Sequence, residues 1–148
     1  MITFFVPGVP VPKGSGRAFY NKKKGVSYVV QDNAARQKPW ASLISYTAQE
    51  TGCKVSDQGI ALTLFFQMPR PKAHYGTGKN RGVLKTWAPL YHTSTPDLDK
   101  LIRCVKDALK GIVYKDDSQV CKLEQVTKCY VHGDEIPGVD IKIRIIEP

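Results

Sequence analysis

The sequence predicts an α+β fold: one domain over residues 1–148, with a mixed, largely antiparallel sheet packed against two main helices. Three observations predict it. Ile60–Met68 and Val139–Ile145 place apolar residues at every second position, the period of a strand with one buried face. The stretches around Trp40–Ala48 and Leu98–Lys110 instead repeat apolar residues three and four apart, the period of an amphipathic helix. The two kinds of segment follow in mixed order, which favours an α+β sheet. A 148-residue chain with 42% hydrophobic residues suits a single core.

Taken in order, Ile2–Val6 reads as a short strand stopped by Pro7, Gly8 and Pro10. Lys13–Lys24 is rich in glycine and basic residues, contains no acid, and reads as loop or hairpin. Trp40, Leu43, Ile44 and Thr47/Ala48 then mark the first helix, with Gly52 as its stop and Pro39 in its first turn. An earlier start capped by Asp32 or Asn33, and kinked at Pro39, is the alternative. Ile60–Met68 is a strand ended by Pro69.

Residues 70–96 show no periodicity, and segments of that length within a domain are usually functional or mobile. Arg70, Lys72, Lys79, Arg81 and Lys85 are interleaved there with His74, Tyr75, Trp87 and Tyr91, without an acid. Cations among rings suit phosphate contact plus base stacking; the simpler reading of the rings is a solvated loop with Trp87 tucked onto the core. The second helix, Leu98–Lys110, buries Leu98, Leu101, Ile102, Val105, Ala108 and Leu109, sets Asp99, Arg103, Lys106 and Lys110 on its other face, and stops at Gly111. Two strands follow, around Val120–Val131 and at Val139–Ile145, joined by a turn at Gly133–Gly138.

Charge gives the first functional indication. Lysine and arginine number 22 against 13 acids, a net of +9. Residues 1–96 hold thirteen basic and three acidic residues, whereas residues 97–148 hold nine basic and ten acidic ones. A basic surface beside an acidic cluster points to a polyanion partner and a nearby metal site. Solubility alone is the plainer account of the charge. No segment reaches the length of a membrane span, and the first residues lack the pattern of a signal peptide, so the expectation is a cytoplasmic protein without a membrane partner. Cys53, Cys104, Cys121 and Cys129 form no C-x-x-C pair and read as buried or half-buried reduced thiols.

Carboxylates concentrate at Asp97 and Asp99 and again at Asp116 and Asp117. Within a regular helix Asp97 and Asp99 would point roughly 200° apart. Pro96 disfavours helix before it, so the helix starts at or after Asp97 and both carboxylates sit at its positive end. The Asp116/Asp117 pair lies just past the helix, and the chain is expected to return it to the same region. Mg²⁺ takes a few carboxylate oxygens and keeps waters for a phosphate. Helix capping without metal is the competing account of an isolated Asp-x-Asp.

The run Pro96-Asp97-Leu98-Asp99-Lys100-Leu101-Ile102-Arg103, then Asp107-Ala108-Leu109-Lys110-Gly111, then Asp116-Asp117-Ser118-Gln119-Val120, resembles the signature of the RusA-type Holliday junction resolvases. His92-Thr93 and the N-terminal stretch from Pro7 to Gly14 are similar to phage-borne members. The resemblance implies a homodimeric, Mg²⁺-dependent endodeoxyribonuclease, with Mn²⁺ as a substitute ion. Such an enzyme resolves four-way junctions and related branched DNA by paired symmetric nicks, in the host cytoplasm if phage-encoded. It assigns the catalytic, metal-holding aspartates to Asp97, Asp99 and Asp117, with Asp116 adjacent and ambiguous. Four positions after Asp99 the family typically carries a lysine, where this chain has Arg103; Lys100 stands where many relatives carry asparagine. Arginine keeps the charge but cannot donate a proton, so Arg103 is expected to act electrostatically. The expected DNA contacts are Lys13, Arg17, Lys22, Lys23, Lys24, Arg70, Lys72, Lys79, Arg81, Lys100 and Lys106. Two rivals remain at this point: a non-catalytic basic DNA-binding phage protein, and a metal nuclease acting on RNA or linear DNA.

Overall fold

The alternating segment at 60–68 becomes the interior of the sheet. The computed structural model describes residues 1–14, 16–31 and 34–148, and the side chains of 16–17 and 28–31 are outside the described set. The expected caps Asp32 and Asn33 and the side chain of Arg17 therefore lie outside the described residues. The elements are β1 (Ile2–Pro7), β2 (Gly16–Asn21), β3 (Val26–Gln31), α1 (Ala34–Glu50), β4 (Gly59–Met68), α2 (Leu98–Leu109), β5 (Val120–Tyr130) and β6 (Gly138–Ile146).

Four strands form one sheet in the order β1-β6-β4-β5, and β2 and β3 form a separate hairpin. β1 pairs antiparallel with β6, and β6 antiparallel with β4. β5 pairs parallel with β4, with two register shifts. A parallel neighbour requires a crossover, and α2 with the long 69–97 segment provides it. On the inner face Ile60, Leu62, Leu64, Phe66 and Met68 of β4 join Val139, Ile141 and Ile143 of β6 in the core. Trp40, Ile44 and Ala48 of α1 and Leu101, Val105, Ala108 and Leu109 of α2 complete it. β6 approaches β1 so closely at Gly138 that a Cβ there would collide with the Val6 carbonyl and the Phe5 ring.

α1 starts at Ala34, so Pro39 sits inside the helix and not in its first turn. The earlier of the two starts is the one formed. The basic segment 13–24 is partly hairpin: Asn21 Oδ1 accepts the Lys23 and Lys24 backbone N–H groups (3.0 and 3.2 Å), and Gly25 takes φ 65°. Lys22, Lys23 and Lys24 are thereby exposed at the hairpin tip.

Every orphan carbonyl at the end of α2 finds a donor. Lys106 O accepts the Tyr114 hydroxyl, Asp107 O the Lys110 N–H, Ala108 O the Ser45 hydroxyl, and Leu109 O the N–H groups of Ile112 and Val113. Cys104 and Cys129 are buried, Cys53 is half-buried and all four thiols are free, but Cys121 is exposed, contrary to the expectation for that residue. Among the described residues no helix is long and apolar enough to cross a membrane.

Candidate active site

Asp97 is the N-cap of α2, in extended conformation (φ −67°, ψ 140°), and Asp99 lies in the first helical turn. Both are exposed, at the end where the helix macrodipole favours negative charge. This is the local geometry expected from Pro96. Lys100 Nζ stands 3.8 Å from the Asp97 carboxylate. Pro10, Lys13, Arg36, His92, Asp97 and Lys100 are among the residues around a cavity of about 600 Å³. His92 Nδ1 is buried and has no partner among the described residues. Burial, and then the charge of Lys128, hold the His92 imidazole below its ordinary pKa.

The second carboxylate source lies elsewhere. Asp116 pairs with Lys110, just beyond the C-terminal end of α2, at 3.2 Å, and accepts the Ser118 hydroxyl at 2.8 Å. That hydroxyl and the Lys110 ammonium pull the Asp116 carboxyl down to about 2. Asp117 opens a single 3-10 turn, Asp117–Gln119. Gln119 anchors this turn: Oε1 accepts the N–H groups of Lys115 and Asp116, and Nε2 donates to Ser56 O and Gln58 O.

Asp97 begins a helix of 12 residues and Asp116 meets the residue after its end. At about 1.5 Å per residue, roughly 18 Å of helix separates them. The expected return of Asp116/Asp117 to the Asp97/Asp99 region does not occur within one copy, because β5 starts at the far end of α2 and only its last residues reach Asp97. Among the described residues no group of three or more His, Cys, Asp or Glu could hold a metal ion. One copy therefore offers a cation two carboxylates at Asp97 and Asp99, not the full three-aspartate set.

The expected cations divide into two groups. Arg103 is exposed one turn after Asp99, with Lys106 half-buried behind it. Lys22–Lys24, Lys72, Lys79 and Arg81 are also exposed. Lys13, by contrast, is paired with Asp107 at 2.7 Å. Arg70 is spent internally: its guanidinium donates to Val131 O (2.8 Å) and Pro89 O (2.7 Å) and lies over the Tyr130 ring. Trp87 does not tuck onto the core; it is 60% exposed, in edge contact with His74 and beneath Lys85.

Sequence reasoning missed Asp107, Gln119 and Lys128. Each acts on partners remote in sequence, 94, 61–63 and 32–34 residues away, so no local spacing reveals it.

Comparison with known proteins decides the family: residues 7–144 match the family model described as Endodeoxyribonuclease RusA. The chain belongs to the RusA endodeoxyribonuclease family. RusA members are metal-dependent endodeoxyribonucleases. The chain is also similar to a Bacillus subtilis (strain 168) protein described as uncharacterized protein YqaN. The two are 31% identical over 144 residues, covering 97% of this chain and 95% of that one.

Proposed function

We propose that the chain is a Mg²⁺-dependent endodeoxyribonuclease that resolves four-way junctions and related branched DNA by paired symmetric nicks, acting as a homodimer. The observation that carries the reading is the pair Asp97 and Asp99, exposed at the positive end of α2 within a strongly basic chain of the RusA family. Clustered carboxylates repel DNA phosphate unless a cation intervenes, which a purely DNA-binding protein has no need to arrange. A divalent ion held there, Mg²⁺ or Mn²⁺, would supply a water acidified enough to attack a phosphodiester. Asp97 and Asp99 supply oxygen donors, and Arg103 places a fixed positive charge one turn along the same helix. Exposed Lys22–Lys24, Lys72, Lys79 and Arg81 meet the phosphates of the duplex arms, and exposed Trp87 and Tyr91 offer rings to an unpaired base.

The homodimer accounts for the separated aspartates. β5 is an edge strand whose residues 121–125 are all exposed, and no described segment pairs with its outer edge there. At 128–130 that edge is covered by residues 90–92. A second copy pairing antiparallel along 121–125 would bring its Asp117 beside Lys128, at the end where Asp97 lies.

Cleavage of a synthetic four-way junction, a linear duplex and an RNA hairpin, each with and without Mg²⁺, tests the reading. Paired nicks confined to the junction and dependent on Mg²⁺ are expected. Junction binding with no cutting would favour a non-catalytic DNA-binding protein. Mixing Asp97→Asn and Asp117→Asn copies tests the dimer: single nicks should return in the mixture although neither variant cuts alone.

A further inference from the structure

We infer that Lys128 is a positioning residue of the nuclease site, acting through the backbone that delivers Asp97 and not through the DNA. The inference rests on the endonuclease reading above. Lys128 lies two residues before the end of β5 in the sheet and is half-buried. Its contacts converge on one short stretch. Its carbonyl accepts the His92 N–H at 3.0 Å, and its Nζ donates to Ser94 O at 2.7 Å and to Pro96 O at 2.6 Å.

No backbone–backbone hydrogen bond holds residues 93–96 among the described residues. The ammonium is thus what ties this approach segment to the sheet, and the segment ends at Asp97. Because Pro96 is the residue before the N-cap, a shift of its carbonyl is transmitted directly to the Asp97 backbone. Two of the three ammonium protons are used on carbonyls.

The choice of a lysine for this task has a second effect. Burial disfavours its charge, while the Asp97 carboxylate favours it. A neutral donor could also bond the carbonyls, but less strongly than a charged one. An ammonium also places a positive charge near the Asp97 carboxylate, which offsets part of the repulsion between Asp97 and Asp99. The device costs no substrate contact, since both hydrogen-bond partners belong to the chain itself.

The experiment compares wild type with Lys128→Met, which keeps the length of the side chain without charge or donors, and Lys128→Arg, which keeps both. With a four-way junction and Mg²⁺, kcat of Lys128→Met should fall on the order of tenfold to a hundredfold, as for a reacting group displaced by about 1 Å. KM, and junction affinity in EDTA, should stay within about twofold, and the slope of log affinity against log salt should not change. Lys128→Arg should restore most of kcat. Amide hydrogen exchange without DNA or metal should speed up in Lys128→Met at residues 92–97 and remain unchanged in β4 and β6.

A salt slope reduced by about one unit would make Lys128 a phosphate contact and overturn the inference. So would unchanged exchange at 92–97, or a general rise in exchange across the sheet. Should wild type itself fail to cut, the endonuclease reading falls, while the exchange data still judge whether Lys128 fixes the segment.

Discussion

Removing one oxygen from Tyr114 measures how firmly the C-terminal end of α2 is closed. Tyr114 is fully buried, and its hydroxyl donates to Lys106 O at 2.5 Å. Burial pushes the phenol well above its ordinary pKa, so it remains a donor across the working range. Tyr114→Phe keeps the ring and its core packing while stripping the donor from the first of the four terminal carbonyls. A buried acceptor left without a donor costs about 1–3 kcal/mol. Lys106 is half-buried, so water can replace part of the bond, and about 1–2 kcal/mol is expected. For a domain of this size that corresponds to roughly 2–8 °C in Tm. Urea unfolding at pH 7 should show a lower midpoint with an unchanged m value. Junction cleavage well below Tm should change little, because phenylalanine keeps the ring packed beneath the Asp117 turn and Asp99 lies at the other end of the helix. A loss below about 0.5 kcal/mol would refute the view that this bond closes the helix end, and a changed m value would show that more than a hydrogen bond was altered.

Three other outcomes are expected. Arg103→Ala should cut junctions on the order of a hundredfold more slowly while Arg103→Lys stays active, as for a removed charge-stabilising donor; single-turnover cleavage at saturating enzyme checks it, and normal cutting by the alanine variant would shift the role to Lys100 or Lys106. Replacing Lys22, Lys23 and Lys24 together by glutamine should flatten the salt dependence of junction affinity by about two to three units, at roughly 0.9 per phosphate contact, and an unchanged slope would make the hairpin tip a solvated surface. His92, held below its ordinary pKa by burial and then by Lys128, takes up a proton more readily in the unfolded chain. Stability should therefore fall as pH drops through the unfolded value of about 6.5 towards the lower folded value, and the fall should be smaller in His92→Gln when urea midpoints are compared from pH 5 to 8.

The elements were legible where one face of a segment is buried. The alternation of β4 and β6 and the three-and-four spacing of α2 are imposed by the core itself, and their bounds match the structure within a residue. The start of α1 was ambiguous because Pro39 is acceptable both in a first turn and, at some cost, further inside a helix. The parallel pairing of β4 with β5 was not legible, since a strand's alternation carries no direction. In the site, the extended Asp97 followed by a helical Asp99 follows from Pro96 and could be read locally. The distance to Asp117 could not, because it depends on which end of the sheet β5 enters. Lys13 and Arg70 read as free cations for the same reason: Asp107 and Val131 become their neighbours only in the folded chain.

The parallel neighbour β5 also has a bearing on how this chain can change. Because β4 and β5 must run the same way, the connection between them has to span the length of the sheet, and α2 already covers that distance. The loop ahead of α2 is then excess length, anchored at Arg70 near its start and at Lys128 near its end. Each doubling of such a loop adds only about 0.6 kcal/mol of closure entropy. Its middle, residues 75–87, can therefore lengthen, shorten or exchange its cations and rings while the strand register and the Asp97 turn stay as they are. On the function proposed above, substrate preference would then drift in this one segment, at little expense to the scaffold around Asp97 and Asp99.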